Sequence, residues 1–416
     1  MFSLNIPAKY SDSVYDTFRP LYISSRFFGL LPFSTTISKR SSNGIYFTKV
    51  DLFLFIIHEL TYITCTVFNF NVDIHNIIFS SKLLENSVKY QMILGCILCC
   101  ILVVVELVFR SATWDIIESI NDFDVKFLTL NKTINHFNHK QRLKCYIVVW
   151  LLMFLIFLAL SILWFLEHAD LTALIPFLTA YSLVNITYGL AATLYTFLLF
   201  SLKVRYKGLN NCFTNSFLDE VKLIQPIKMF KHINKETACD KIMKMARLHD
   251  QLTDIIGLVN RRFSFQVLIL IASAFVFSVF SIFSFYRVAF AEPFDFNQFQ
   301  TSIVYNLWGF YYESFILMII WMGSSVQREG AYTGVLIHKT INNYAEKNIV
   351  EKLILFSQQL KHQAPIATCK LFPIDWTLFF TMVGATTTYL TILIQFDSSF
   401  HGNILANATI VNDTKP

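Results

Sequence analysis

Seven stretches of the chain are apolar for long enough to cross a bilayer as helices: Thr48–Phe70, Tyr90–Phe109, Cys145–Leu166, Ala173–Leu202, Phe263–Phe290, Thr301–Val326 and Thr377–Phe396. A hydrocarbon core of about 30 Å needs about 20 helical residues. The fourth, fifth and sixth stretches exceed that, so they tilt or run on as helices into water. Between the fourth and fifth, Ala238, Ile242, Met245, Leu248, Leu252, Ile256, Val259 and Phe263 recur at helical spacing and lead straight into the fifth stretch. Residues 111–130 and 336–360 carry a similar mixed pattern, which predicts a helical layer outside the membrane. No repeat or Gly/Pro-rich linker marks a second domain. The pattern predicts an all-α integral membrane protein with seven transmembrane helices. Its three parts are an N-terminal segment 1–47, a membrane domain 48–396 and a tail 397–416.

The last stretch breaks the apolar pattern in an ordered way. Thr381, Gly384, Thr388, Thr391 and Gln395 follow one another at steps of three and four, on one face of a helix. A spanning helix with one small, polar stripe either packs tightly on a neighbour or lines a wet path.

Composition changes the picture little and charge changes it more. The chain is 55% hydrophobic and 15% charged, with 43 Phe, which fits surface buried in lipid. The positive-inside rule sets an orientation. With a cytoplasmic N-terminus, all but Lys82, Lys89, Arg287 and Lys415 of the 34 basic residues fall inside. The C-terminus is then extracellular. Two sequons, at Asn407 and Asn412, sit in the tail and suit that side; a third, at Asn131, falls on the predicted inside. The net charge of +6 is this bias and carries no expectation of nucleic acid. None of the eight Cys falls in a predicted exterior loop, so no extracellular disulfide framework is expected. Cys96, Cys99 and Cys100 share a helix face, where Cys serves as a small apolar residue and zinc would need further ligands. No cofactor is expected.

Enzyme signatures are absent: there is no phosphate-cradling Gly-rich loop, His-Glu-x-x-His or Gly-x-Ser-x-Gly. Ionisable residues within spans are the better lead, because burying them is costly. They are His58, Glu59, Glu106 and Glu313. Glu106 stands four residues before Arg110, a local ion-pair spacing. Glu313 reads as a hydrogen-bonded carboxyl within the bundle or as a ligand or ion contact. Aromatic residues gather in one half of several spans. Trp164, Phe177, Tyr181, Phe283 and Tyr286 lie at span ends, and Tyr305, Trp308 and Tyr312 lie on one helix face. With Asn185 and Tyr188 as polar company they read either as interfacial belt and core packing or as a largely apolar pocket with a few hydrogen-bonding tips.

The C-terminal residues narrow the choice. Thr388-Tyr389, five residues, then Gln395-Phe396 resembles the closing signature of insect gustatory receptors. Phe356-Ser357-x-Gln359, Cys369, Leu371-Phe372-x-Ile374-Asp375-x-Thr377-Leu378, Leu248-His249-x-x-Leu252 and Asn260-x-x-Phe263-Ser264-x-Gln266 are similar to the same family, as are Arg328-Glu329 and Thr333. The similarity covers about the last 170 residues at motif level; Lys370 departs from it, since many relatives have Gly there.

That resemblance implies a ligand-gated, poorly selective cation channel of four subunits, as a homotetramer or with other gustatory receptors. It places the chain in the plasma membrane of a sensory neuron, with membrane lipid and a small-molecule tastant as partners. It implies that the last span lines the pore through Thr388, Thr391, Ile392, Gln395 and Phe396, with Ile392 and Phe396 as an apolar gate that closes by dewetting. The ligand pocket is then expected among Trp164, Asn185, Tyr188, Tyr305, Trp308 and Tyr312. Their aromatic, polar-poor setting leans towards bitter compounds over sugars. A seven-span receptor acting through G proteins or a partner channel subunit is the alternative; the inside N-terminus and the lack of Asp-Arg-Tyr and Asn-Pro-x-x-Tyr motifs argue against a G-protein receptor. A transporter would carry inverted repeats and broken spans, and neither is evident.

Overall fold

The computed structural model describes residues 13–35, 45–71, 82–168, 171–218, 235–290, 295–343, 346–362 and 364–413. Helices dominate: α1 (Val14–Phe27), α2 (Lys49–Asn71), α3 (Lys82–Val108), α4 (Arg110–Phe127), α5 (His136–His168), α6 (Leu171–Phe217), α7 (Lys235–Ala289), α8 (Phe296–Ile341), α9 (Lys347–His362) and α10 (Trp376–Asp413). A two-residue antiparallel ribbon, β1 (Ser34–Thr35) with β2 (Ile45–Tyr46), precedes the first span. Among the described residues seven helices are long and apolar enough to cross a membrane, namely α2, α3, α5, α6, α7, α8 and α10. The expected all-α, seven-span architecture is present.

α6, α7 and α8 hold 47, 55 and 46 residues. At about 1.5 Å per residue each runs roughly 70 to 80 Å, more than twice a hydrocarbon core. They therefore extend beyond the membrane as continuous helices. All eight apolar residues read from the pattern between Ala238 and Phe263 are buried, on a face of α7 that packs against α4, α6, α8 and α9. α6 is the most buried span and touches α2, α3, α5, α7 and α8. α2 and α5 lie at the periphery, where Leu60, Ile63, Leu152, Ile156 and Leu163 are exposed, as lipid-facing residues should be.

α1 lies in the N-terminal segment, where the pattern suggested no helix. Phe18, Leu21 and Tyr22 are buried there against α4, α5 and α6. Tyr22 donates to the Phe33 carbonyl at 2.5 Å; burial pushes its phenol up to about 12, so it stays a neutral donor. α1 is tied to the first span by Arg26 Nε to Asp51 Oδ1 at 2.7 Å.

Two further ion pairs fix the layer around α4. Arg205 grips Asp124 with Nε and Nη2 at 2.9 and 2.6 Å. Glu106 pairs with Arg262 at 2.5 Å, both side chains buried, and Arg262 Nε also donates to Thr113 Oγ1 at 2.9 Å. The local pair expected from sequence, Glu106 with Arg110, is not the one formed: the Arg110 guanidinium lies over the Phe47 ring, 5.0 Å from its centroid. A buried carboxylate gains more from a cation that is also held by other groups than from a side chain at the surface.

The turn before α10 is held from two sides. Asn260 of α7 donates through Nδ2 to the Ile366 carbonyl (2.8 Å) and accepts the Thr368 N–H on Oδ1 (3.1 Å). On α8, a Cβ at Gly323 would run into the Ile374 carbonyl and one at Gly330 into the Pro365 ring, so the turn lies closer to α8 than a side chain there would allow. Thr368 bridges Pro373, and Lys370 sits at φ 68°, the left-handed region where glycine is unstrained. Asp375 then accepts the Thr377 N–H at 2.9 Å, capping the first turn of α10.

Candidate functional site

A cavity of about 220 Å³ lies among α3, α5, α6, α7 and α8. Trp164, Asn185, Tyr188, Tyr305, Trp308 and Tyr312 all line it. Helical spacing explains how they meet: Tyr305, Trp308 and Tyr312 project from one face of α8 towards α6, from which Asn185 and Tyr188 project. The rings interlock at their edges. Tyr188 and Tyr312 have centroids 4.4 Å apart, Tyr181 and Trp308 4.8 Å, and Phe277 stacks on Tyr312 at 4.7 Å. Such offset and edge-to-face pairs are the favoured arrangements.

Most polar tips are already engaged with protein. Trp308 Nε1 donates to Ser161 Oγ at 2.9 Å, Tyr188 OH to the Leu270 carbonyl at 3.0 Å and Tyr305 OH to Gln91 Oε1 at 2.7 Å. Beside the cavity, Tyr311 OH accepts from Trp150 Nε1 and donates to the Asn185 carbonyl, both at 2.9 Å. Asn185 Nδ2 donates to the Tyr181 carbonyl at 2.8 Å. Two amide atoms of lining residues, Asn185 Oδ1 and Gln91 Nε2, have no hydrogen-bond partner.

The sequence reading named no residue from two of the walls. α3 contributes Gln91, Met92, Gly95 and Cys99, and α7 contributes Ala272, Ser273, Val276 and Phe277. Gln91 was the available signal, an amide at the very start of an apolar span. Of the run Cys96, Cys99 and Cys100, Cys99 lines this wall and the other two belong to the packing beside it, and no group of three or more His, Cys, Asp or Glu among the described residues could hold a metal. Glu313, read as bundle carboxyl or ligand contact, is half-buried on α8 and is not part of the cavity lining.

The second group of expected residues lies apart from the cavity, on α10. Thr388, Thr391, Ile392, Gln395 and Phe396 are all exposed on the protomer, together with Thr381 and Gly384. The opposite face, with Phe379, Met382, Leu390, Leu393 and Ile394, packs on the body, against α7 and α8; Tyr389 meets the Phe275 ring at 5.8 Å. The hydroxyls of Thr381, Thr388 and Thr391 donate to carbonyls one turn back, at 2.8, 3.1 and 2.9 Å, which leaves their oxygen lone pairs facing outward. Just past Phe396, Asp397 Oδ2 pairs with Arg287 Nη1 of α7 at 2.6 Å. The helix continues to Asp413; the side chains of Asn407 and Asn412 lie outside the described residues.

The chain is a seven-span helical membrane protein with an aromatic-lined cavity between its spans and one span left uncovered on a polar face. The model of the 7tm chemosensory receptor family matches residues 18–400, and the chain belongs to that family. Among curated relatives, a Drosophila melanogaster protein provisionally named gustatory receptor 28b is 27% identical over 198 residues, 47% of this chain and 42% of that one. The provisionally named gustatory receptor 28a is 31% identical over 166 residues, covering 38% and 36%. The gustatory receptor for bitter taste 66a is 25% identical over 166 residues, covering 38% and 31%. These matches span less than half the length of each relative. The fold is that of the insect olfactory receptor OR5 of Machilis hrabei solved in complex with eugenol, with a TM-score of 0.65 at 12% identity over 92% of this chain and 98% of that one. The protein is a multi-pass protein of the plasma membrane.

Proposed function

We propose that the protein is a gustatory receptor that works as a ligand-gated, non-selective cation channel, opened by a small tastant in the α3–α5–α6–α7–α8 cavity. The observation that carries this reading is the exposed polar face of α10. A spanning helix that leaves Thr381, Gly384, Thr388, Thr391 and Gln395 uncovered together presents a small, polar stripe that water or a like helix accommodates better than lipid tails do. Four copies arranged about an axis give that face water and each other. Ile392 and Phe396, 42% and 58% exposed on the protomer, then form two apolar rings one turn apart, a constriction that gates by dewetting.

The N-terminus is cytoplasmic and the C-terminus extracellular on this reading, so the gate and the Arg287–Asp397 pair stand near the outer mouth. The long lower halves of α6, α7 and α8, with α4 and α9, form a cytoplasmic layer through which subunits join. The tastant is of the bitter rather than the sugar type. A hexose needs several paired polar contacts, and the hydroxyl and indole tips here are mostly engaged within the protein. The identity of 25% with a receptor for bitter taste and the eugenol complex of the structural neighbour support the same direction.

Current recording in heterologous cells tests the reading. Tastant-evoked cation currents are expected, with Trp308→Ala abolishing the response at normal surface expression, and Phe396→Ala or Gln395→Ala altering basal current or selectivity. A well-expressed protein that carries no current with any tastant, alone or with a co-expressed gustatory receptor, overturns it.

A further inference from the structure

We infer that Arg142, Lys203, Lys207 and Arg328, with the Trp321 ring against Lys203, form a binding site for the phosphorylated headgroup of an anionic phospholipid whose acyl chains lie along the outer faces of α5 and α8. That the lipid belongs to the cytoplasmic leaflet rests on the proposed orientation; the binding itself does not.

Three helices bring the bases to one level. Arg142 stands three residues before the apolar stretch that begins at Cys145, Lys203 directly follows the one that ends at Leu202, and Arg328 is two residues past the one that ends at Val326. Lys207 is one turn beyond Lys203 on α6. The helices α5, α6 and α8 pack on one another. Half-buried Lys203 is the centre. Its Nζ lies over the Trp321 ring, 4.9 Å from the centroid, and the charges that act on it are Glu329, Arg328, Lys207 and Arg142. Trp321 is 46% exposed, as an indole at a membrane–water boundary is.

The positive-inside bias accounts for bases at this depth but not for their convergence on one another. Two residues beyond Lys203, Arg205 is held by Asp124 through both Nε and Nη2. By contrast, none of Arg142, Lys203, Lys207 and Arg328 makes a salt bridge among the described residues. Bases drawn together with a single acid repel. A phosphate relieves that repulsion and takes charge-assisted hydrogen bonds from them. Each phosphomonoester carries about −1.5 to −2 charges near pH 7, so a headgroup with one or two of them matches the excess of positive charge. A zwitterionic headgroup does not.

The surface above the bases defines the rest of the ligand. On α5, Val149 and Ile156 follow Arg142 at steps of seven; on α8, Phe310 and Trp321 stand eighteen and seven residues before Arg328, so each set shares one helix face. All four are exposed. They offer a wall to acyl chains directly above the headgroup site, which a soluble phosphate would leave unused.

Lipid titration tests this. Detergent-solubilised full-length protein is titrated with dioctanoyl phosphatidylinositol bisphosphate, with dioctanoyl phosphatidylserine and phosphatidylcholine, and with free inositol trisphosphate. The bisphosphate lipid is expected to bind about 10-fold tighter than phosphatidylserine, with phosphatidylcholine failing to compete. Inositol trisphosphate, lacking chains, is expected to bind about 10-fold more weakly than the lipid. Each base contributes a factor of about 5, so Arg142→Gln with Arg328→Gln should weaken the lipid about 25-fold. Both residues are exposed, so the fold should tolerate the change. Lys241→Gln with Lys244→Gln removes two exposed bases of α7 outside the site and should leave binding within about 2-fold of wild type.

Equal weakening by the two double variants would show general surface charge and overturn the site, as would wild-type affinity in the Arg142 and Arg328 variant or no preference over phosphatidylserine. Inositol trisphosphate binding as tightly as the lipid overturns the lipid in favour of a soluble phosphate. Absence of lipid preference, with a changed oligomeric state in the Arg142 and Arg328 variant, overturns it in favour of a second copy of the chain. An N-terminal tag reached from outside intact cells overturns the cytoplasmic leaflet. Lipid binding by a protein that carries no current sinks the channel reading and leaves this inference standing; tastant-evoked currents without lipid preference do the reverse.

Discussion

Arg262 shows what a single side chain does in this fold. It crosses from α7 to α4 and α3, with Thr113 and Glu106 as partners and the Phe109 and Phe263 rings 5.6 and 4.9 Å away. Arg262→Leu leaves the Glu106 carboxylate buried without its cation, and a loss of about 3–5 kcal/mol is expected. Replacing both residues with Leu should recover most of that loss, because an apolar pair of similar volume replaces a buried ion pair at little cost. Thermal melting of detergent-solubilised protein, with surface expression as a second readout, checks both. A double variant as unstable as the single one would show that the cost comes from packing and not from the unpaired charge. Lys370 works in the opposite direction. At φ 68° a side chain is strained by about 1 kcal/mol or more, so Lys370→Gly is expected to raise the melting temperature. The departure from Gly at this position is thus a local cost the turn carries, and the turn itself keeps its shape through the Asn260 clamp.

At the scale of elements, the pattern of apolar residues carried most of the architecture. The spans were legible because each buries or greases a whole helix, and the lower half of α7 because its eight core residues repeat at helical spacing. α1 was not legible: it is short, is interrupted by Pro20, and mixes polar with apolar residues where the spans are almost uniformly apolar. The start of α3 at Lys82 rather than Tyr90 escaped for a similar reason, since Lys82, Glu85 and Lys89 dilute the apolar signal without stopping the helix. For the cavity, six lining residues could be named because aromatic and amide types are rare and conspicuous within spans. Its α3 and α7 walls could not, since Met92, Val276 and Ala272 look like any lipid-facing residue in sequence. The approach of the α9–α10 turn to α8 was equally silent, as Gly323 gives no sign of what lies over it. A Cβ there meets the Ile374 carbonyl, which belongs to backbone and cannot rotate away. Gly323→Ala should cost about 1–3 kcal/mol and displace the base of α10. Reduced surface expression, or a shifted tastant dose response in the protein that reaches the surface, is the expected result; wild-type behaviour in both would show that the turn yields freely.

For the whole molecule, the question is how a ligand enclosed by α3, α5, α6, α7 and α8 reaches a helix that lines none of the cavity. The connection is physical: α7 and α8 both wall the cavity and carry α10 on their other side. Phe277 stacks in the cavity on Tyr312, while Phe275, two residues away and on the other face of α7, meets Tyr389 of α10. A ligand with equal affinity for closed and open states shifts nothing, so on the channel reading binding must favour the placement of α7 that belongs to the open pore. The Arg287–Asp397 pair couples the top of α7 to the residue after Phe396, and its removal probes that route. The side chains are only 23% and 12% exposed, so solvent screens the pair little, and removing one partner leaves a largely buried charge at a cost of about 1–3 kcal/mol. Such a sum shifts an opening equilibrium by about 5- to 150-fold. Arg287→Ala should therefore move the half-maximal tastant concentration, or the basal current, several-fold, leaving tastant binding to the isolated protein unchanged. The exchange Arg287→Asp with Asp397→Arg should restore the wild-type dose response. A loss of binding in Arg287→Ala would place the pair in the fold of the cavity. A changed gating equilibrium with intact binding would place it between cavity and pore, where the geometry of α7 puts it.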